Sequence, residues 1–389
     1  MQKPRQSNYE LLRLAAIVLI VAMHTWGYAF TTTDTVTQGI LLLVNAVGNT
    51  GVTLFVLLSG WFGIRFSTGK LLRLVFVVLT YSVLTYGLQT GLGTESLTAA
   101  GIRKALLPLL SGKYWFMTCY ATLFCLSPWL NRAADNLPKR DFGLLLAVAA
   151  FFFLAVPTLQ LADPTHDGGK GFVNMTLAYM AGRYLHRHGW PHLLDRHGMA
   201  IASGAVAAIL LLNGGITAVT GHLCNTFARD NNLLVFTAAL GIFRLIGRWH
   251  FSAESVNYLA GFAFPLYLTN STVIALFSPW LTADIHHPAF SLRAAAVMAA
   301  ACAAAFFCGG SAPTVAGSRG SMASHGGTRQ TLILFSIRAV VAAGYAGKSV
   351  IHVIDRLPVR RHIRLPIPAP ATGTGHNCPD STSRTIRSV

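Results

Sequence analysis

Long apolar runs, separated by short polar or basic intervals, recur along most of this chain, as in Leu14 to Ala29, Leu71 to Tyr86 and Leu144 to Val156. A helix that crosses the hydrocarbon of a bilayer needs roughly 20 mostly apolar residues. On that measure the pattern predicts spans over 9–30, 38–62, 71–92, 114–131, 142–161, 171–187, 198–219, 231–247, 256–280 and 288–308. The expected fold class is all-α, a polytopic transmembrane helical bundle of about ten spans. The first run lacks a cleavage-site pattern, and Trp26 and Tyr28 extend it, so it reads as a retained first span and not as a removed signal peptide.

Beyond Phe307 the pattern changes. Gly309 to Gln330 is rich in Gly, Ser and Ala, and Thr331 to Val350 is apolar again. An eleventh span there would bury Arg338 at membrane depth and carry Lys348, Arg356, Arg360, Arg361 and Arg364 outside, against the rule that basic loops stay cytoplasmic. Either 288–308 or 331–350 fails to cross, or the latter lies against the cytoplasmic face. From Pro366 onward the Pro, Thr, Ser and Gly content leaves nothing to bury. Three regions follow: a membrane domain over 1–308, an atypical C-terminal segment over 309–365 with room for one more membrane-associated helix, and a disordered tail over 366–389.

Composition supports the membrane reading. Only 11% of the 389 residues are charged and 53% are apolar, whereas soluble domains carry about 25% charged residues. The 30 Lys and Arg exceed the 13 Asp and Glu, giving a formal +17. With no interleaved aromatic and basic surface, this excess does not point to nucleic acid; it points to topology. Alternate connections hold Arg65, Lys70 and Arg73; then Arg132, Lys139 and Arg140; then Arg183, Arg187 and Arg196; then Arg244 and Arg248. Together with Lys3 and Arg5 they fall on one side, so the N-terminus is expected in the cytoplasm and the bilayer is the first partner. The six Cys show no CxxC pair, which leaves neither a zinc site nor a disulfide framework indicated.

The first span holds the residues that carry chemistry. Eleven positions, just over three turns at 3.6 residues per turn, separate Arg13 from His24, so both project from nearly the same helix face, roughly 16 Å apart along the axis. An imidazole in a span is costly, commonly faces a bundle interior or an aqueous cavity, and suits the removal of a proton from a hydroxyl. The plainer alternative makes His24 an interfacial histidine beside Trp26 and Tyr28, and Arg13 a snorkelling anchor. Lys70 and Arg73 also read as positive-inside anchors on their own. Ser59 and Gly60 read as packing residues, and Trp115 and Tyr120 as members of an interfacial aromatic belt. His166, His186, His188, His192 and His197 lack an ordered ligand spacing, so no metal site is named.

Arg13-x10-His24 within Tyr9-Glu-Leu-Leu-Arg13-Leu…Met23-His24 resembles the signature of acyltransferase family 3, multi-span enzymes that O-acetylate bacterial surface sugars. Further likenesses follow in order. Gly51-Val-Thr-Leu-Phe-Val-Leu-Leu-Ser-Gly60-Trp-Phe is similar to the family's second-span consensus, and Lys70-Leu-Leu-Arg73 occupies the place of its Arg-x-x-Arg pair. Tyr114-Trp-Phe…Tyr120…Leu-Ser-Pro128-Trp-Leu-Asn131 is similar to a further conserved stretch, and the resemblance covers residues 8–280. It implies a membrane O-acetyltransferase of the bacterial cell membrane, with acetyl-CoA as donor and a carbohydrate, polysaccharide precursor or lipid-linked sugar as acceptor. It further implies that Arg13, Lys70 and Arg73 meet the CoA phosphates and that His24 is the catalytic base or a transient acyl carrier, with Arg13 as its cationic counterpart. Two positions depart from the pattern: Lys70 lacks the planar fork of Arg, and Asn270 stands where His is usual in the Phe264-Pro-Leu-Tyr-Leu-Thr-Asn270 stretch. A membrane transporter and an inactive structural partner are the rival readings.

Overall fold

A computed structural model describes residues 6–309, which among themselves are helical with no strand. The apolar stretch 331–350, the segment 310–365 and the tail 366–389 lie outside the described residues.

Each of the ten expected spans is helical. α1 (Ser7–Trp26) is followed by α2 (Thr35–Gly48) and α3 (Thr50–Phe62), which meet at Asn49. Next come α4 (Thr68–Gly91), the short α5 (Ala99–Leu106), α6 (Trp115–Asn136) and α7 (Lys139–Ala150), which passes through a π-helical turn into α8 (Val156–Thr158). α9 (Phe172–His188), α10 (His192–Thr220), α11 (Leu233–Gly247), α12 (Glu254–Ala260), α13 (Ala263–Leu281) and α14 (Ala289–Gly309) complete the order.

Six helical stretches are long and apolar enough to cross a membrane, and the α12–α13 pair, bent by 48°, makes a seventh. The expected ten crossings are therefore not reached by length and composition. α11 is apolar but short, α9 ends in His186-Arg187-His188, and α6 carries Arg132 and Asp135 towards its end. Buried helices such as α9, whose neighbours cover much of its surface, need not match the bilayer's thickness, because protein and not lipid surrounds them.

The basic connections gather at one end of the bundle with the start of α1. Asn8 Nδ2 donates to the Ile246 carbonyl at 3.2 Å, and the Tyr9 ring meets Phe62 edge to face at 5.3 Å. Asn131 Nδ2 donates to the Ile64 carbonyl at 2.8 Å, Arg183 pairs with Asp135 at 2.8 Å, and Arg244 Nε donates to Asp195 at 2.6 Å.

Close helix approach sets the frame of the site. α3 crosses α9 where Gly60 faces Gly182: a Cβ on Gly60 would overlap the Tyr179 carbonyl oxygen, and one on Gly182 the Leu57 carbonyl oxygen. Small residues let backbones meet in this way in membrane bundles. The fully buried Tyr179 locks the crossing, since its hydroxyl accepts from Ile64 N at 3.0 Å and donates to Asn131 Oδ1 at 2.7 Å. A Cβ on Gly51 would come within 2.7 Å of the Ala16 carbonyl oxygen, so α1 is seated directly on α3.

Candidate active site

A cavity of about 2490 Å³ runs along α1. Its α1 wall is a stripe at helical spacing, Glu10, Arg13, Ile17, Ile20, His24 and Gly27. Leu12 and Ala16 on one flank of this stripe and Val21 on the other are fully buried in the core. Ligand sites commonly enclose about 300–1,000 Å³, so this volume accommodates two substrates at once.

At the end where the basic connections gather, Arg13, Lys70 and Arg73 line the cavity. Arg13 pairs with Glu10 one turn earlier at 2.8 Å. Lys70 and Arg73 are exposed, and among the described residues they have no ion pair or hydrogen bond. Their charges are free to meet an anion.

Towards the other end His24 is accessible, and the surface it exposes lines the cavity. Its Nδ1 stands 3.0 Å from Asn270 Oδ1. The amide's orientation follows from its other contacts: Nδ2 donates to the carbonyls of Leu266 at 3.1 Å and Tyr267 at 2.6 Å, which can only accept. That leaves Oδ1, an acceptor, facing His24, so Nδ1 must carry the proton and Nε2 the free lone pair. Nε2 has no protein partner among the described residues. Asn270, the position that departs from the resembled pattern, thus fixes the tautomer of the histidine that the pattern makes central.

Trp115 and Tyr120 also line the cavity, which corrects their reading as an interfacial belt. The start of α6 faces inward, and Phe116 stacks on Tyr120 at 5.8 Å and meets Tyr267 edge to face at 5.5 Å. Aromatic rings of this run therefore complete a wall of the cavity.

A family model described as an acyltransferase domain matches residues 6–310, the whole described bundle. The chain belongs to acyltransferase family 3. No curated protein and no solved structure matches it. Family membership makes this a membrane acyltransferase, and the stripe on α1 is where Arg13 and His24 face a common space.

The far end of this acyltransferase's cavity is lined by Asp167, Lys170, Asn225, Arg229 and Asp230. All five lie in connections between the predicted spans, and the hydrophobic pattern gave them no role. The one signal available was the polar run Arg229-Asp230-Asn231-Asn232 immediately before α11, in which Asn232 caps the helix by accepting from Leu234 N at 2.9 Å. Burial pushes the Asp230 carboxyl up to about 7; Lys170 opposes the shift and Asp167 adds to it.

Proposed function

We propose that this acyltransferase moves an acetyl group from acetyl-CoA to a hydroxyl of a cell-surface carbohydrate or polysaccharide precursor, with its basic loops and N-terminus on the cytoplasmic face of a bacterial inner membrane. The observation that carries this reading is a single cavity joining the cations Arg13, Lys70 and Arg73 to the free Nε2 of His24. Lys and Arg both bind phosphate, Arg with the better geometry. The roughly 16 Å between Arg13 and His24 suits a long donor that places its phosphates at one end and its thioester near the other.

With its lone pair on Nε2, His24 takes the proton of the acceptor hydroxyl as that oxygen attacks the thioester carbon. The C–S bond breaks, CoA leaves as a thiolate, and His24 returns the proton to sulfur. In the covalent variant the same nitrogen first takes the acetyl group, releasing CoA as a thiolate, and then passes it to the hydroxyl oxygen, whose proton goes by way of the freed Nε2 to the thiolate. Both routes need the lone pair on Nε2, and between the two neutral tautomers Asn270 selects the one that has it there.

Asn270 is a positioning residue, and Asn270→Leu is expected to lower kcat about 10-fold to 100-fold, the range seen when an orienting partner of a histidine is lost. The KM for acetyl-CoA should hold, and Asn270→Asp should not rescue the rate, because a carboxylate oxygen would replace the NH₂ group that donates to the Leu266 and Tyr267 carbonyls. A Leu variant that turns over normally would remove the tautomer argument. At the cationic end, Lys70→Gln and Arg73→Gln are each expected to raise the KM for acetyl-CoA by about tenfold with kcat little changed, as for a lost charge-assisted hydrogen bond. Steady-state kinetics in proteoliposomes checks this, and an unchanged KM would leave both residues as topological anchors.

The overall reading is tested by mass spectrometry of surface glycans from cells with and without the protein. An acetyl-sized mass difference is expected. Solute flux through the protein with no such difference would favour a transporter.

A further inference from the structure

One buried group at the far end of the cavity has no task in handling the donor. Asp230 is only 3% exposed, yet its Oδ1 has no hydrogen-bond partner and no ion pair reaches its carboxyl among the described residues. A buried polar group without a partner is rare, because it forfeits water and gains nothing in exchange. Asp230 nevertheless lines the cavity, where a ligand could supply the missing partner.

The surrounding loops hold it there. Asn174 Nδ2 donates to the carbonyls of Gly169 at 3.2 Å and Asp230 at 3.1 Å, which ties the turn before α9 to the turn before α11. Gly169 has φ +84°, and a Cβ on it would overlap Asn231 N, so only glycine lets the two turns meet. The first turn is braced in addition by Asp163, whose carboxylate accepts from Gly168 N at 2.9 Å and Thr165 Oγ at 3.0 Å. Lys170 follows in the same turn. It is exposed towards the cavity, has no ion pair among the described residues, and interacts electrostatically with both Asp230 and His24.

The two ends of the cavity differ in charge. The α1–α4 end has Arg13, Lys70 and Arg73 against Glu10, a surplus that favours an anion. The far end balances Lys170 and Arg229 against Asp167 and Asp230. A second anion would meet the Asp230 carboxyl there, whereas an uncharged polyol can donate to the carboxyl and accept from the ammonium. A carboxyl that titrates near neutrality can also donate to a hydroxyl oxygen when protonated.

We propose that Asp230 and Lys170 form the acceptor subsite, holding an uncharged polyhydroxyl compound by neighbouring hydroxyls so that another of its hydroxyls reaches His24. The proposal rests on the acetyl-transfer reading above and adds to it the residues and the charge class of the acceptor.

The test uses the full chain in nanodiscs with labelled acetyl-CoA and two acceptors: water, read as CoA thiol release, and methyl pyranosides of glucose, galactose and mannose, read as label transferred. Asp230→Asn keeps the side-chain volume and removes the acid. Lys170→Gln perturbs the same subsite from an exposed position, so it gives a reading even if the buried change impairs folding. Each variant is expected to raise the KM for the pyranoside at least tenfold, with the KM for acetyl-CoA unchanged; Lys170→Gln also alters the field at His24, so its rate of thiol release to water is free to change. Wild-type protein should not acetylate the corresponding sugar phosphates. A pyranoside KM unchanged in both variants would overturn the proposal, as would a KM for acetyl-CoA that rises in step with it, since the groups would then serve the donor or the fold. Wild-type protein that releases thiol but acetylates only the sugar phosphates would also overturn it, leaving the donor assignment intact. Wild-type protein inert towards acetyl-CoA would instead remove the proposed function itself.

Discussion

His24→Ala is expected to lower acetyl transfer by about 10²–10⁴-fold, the usual contribution of a positioned acid–base group, while the protein remains inserted and folded. The ring is exposed and lines the cavity, while the core packing of α1 is carried by Leu12, Ala16 and Val21, which flank it. Its removal therefore takes away no core packing. Asn270 keeps both hydrogen bonds from its NH₂ group to carbonyls of its own helix, α13, so its side chain stays held. Transfer of labelled acetyl in proteoliposomes, alongside gel filtration in detergent, checks both halves of this expectation. Full transfer by the variant would take His24 out of the mechanism, and loss of the monodisperse peak would mean that the ring is structural.

Replacing Gly60 by valine should produce the largest loss of stability of any substitution considered. Overpacking a well-packed site costs about 1–3 kcal/mol and occasionally more, and here the clash is with backbone: the Tyr179 carbonyl oxygen lies where a Cβ would go. A carbonyl in the middle of a helix cannot turn aside as a side chain can, so α3 and α9 would have to separate. That movement would pull Ile64 N and Asn131 from the Tyr179 hydroxyl and shift the seat of α1 at Gly51. Thermal unfolding in detergent should show a marked fall for Gly60→Val and a smaller one for Gly60→Ala. Gly39→Ala, where a Cβ would meet nothing within 4 Å, serves as the control and should leave the transition in place. A wild-type transition in Gly60→Val would mean that the crossing can open without cost.

The sequence reading succeeded where a single helix carries the information. The facing of Arg13 and His24 follows from helical periodicity alone, and the stripe from Glu10 to Gly27 bears it out. The one-sided gathering of the basic connections was legible for a similar reason, since each loop's position follows from how many helices precede it. Trp115 and Tyr120 were misread because an aromatic ring near the end of an apolar run has the same sequence appearance at a lipid interface as in a cavity wall. Gly60 was read correctly as a packing residue, but its partner Gly182 and the Tyr179–Asn131 clasp were not, since they come from helices far away along the chain.

By itself the sequence determined an all-α membrane bundle, the placement of its helices along the chain, and the helix face that Arg13 and His24 share. These properties are written in local hydrophobic period and spacing, which a chain expresses before any long-range contact forms. Only the tertiary structure decided that Asn270, 246 positions from His24, sets that ring's tautomer, and that Lys170 and Asp230 share a cavity with it. Hydropathy has the same value whether a helix faces lipid or protein, and a hydrogen bond across the bundle leaves no trace in the local pattern of either segment that makes it.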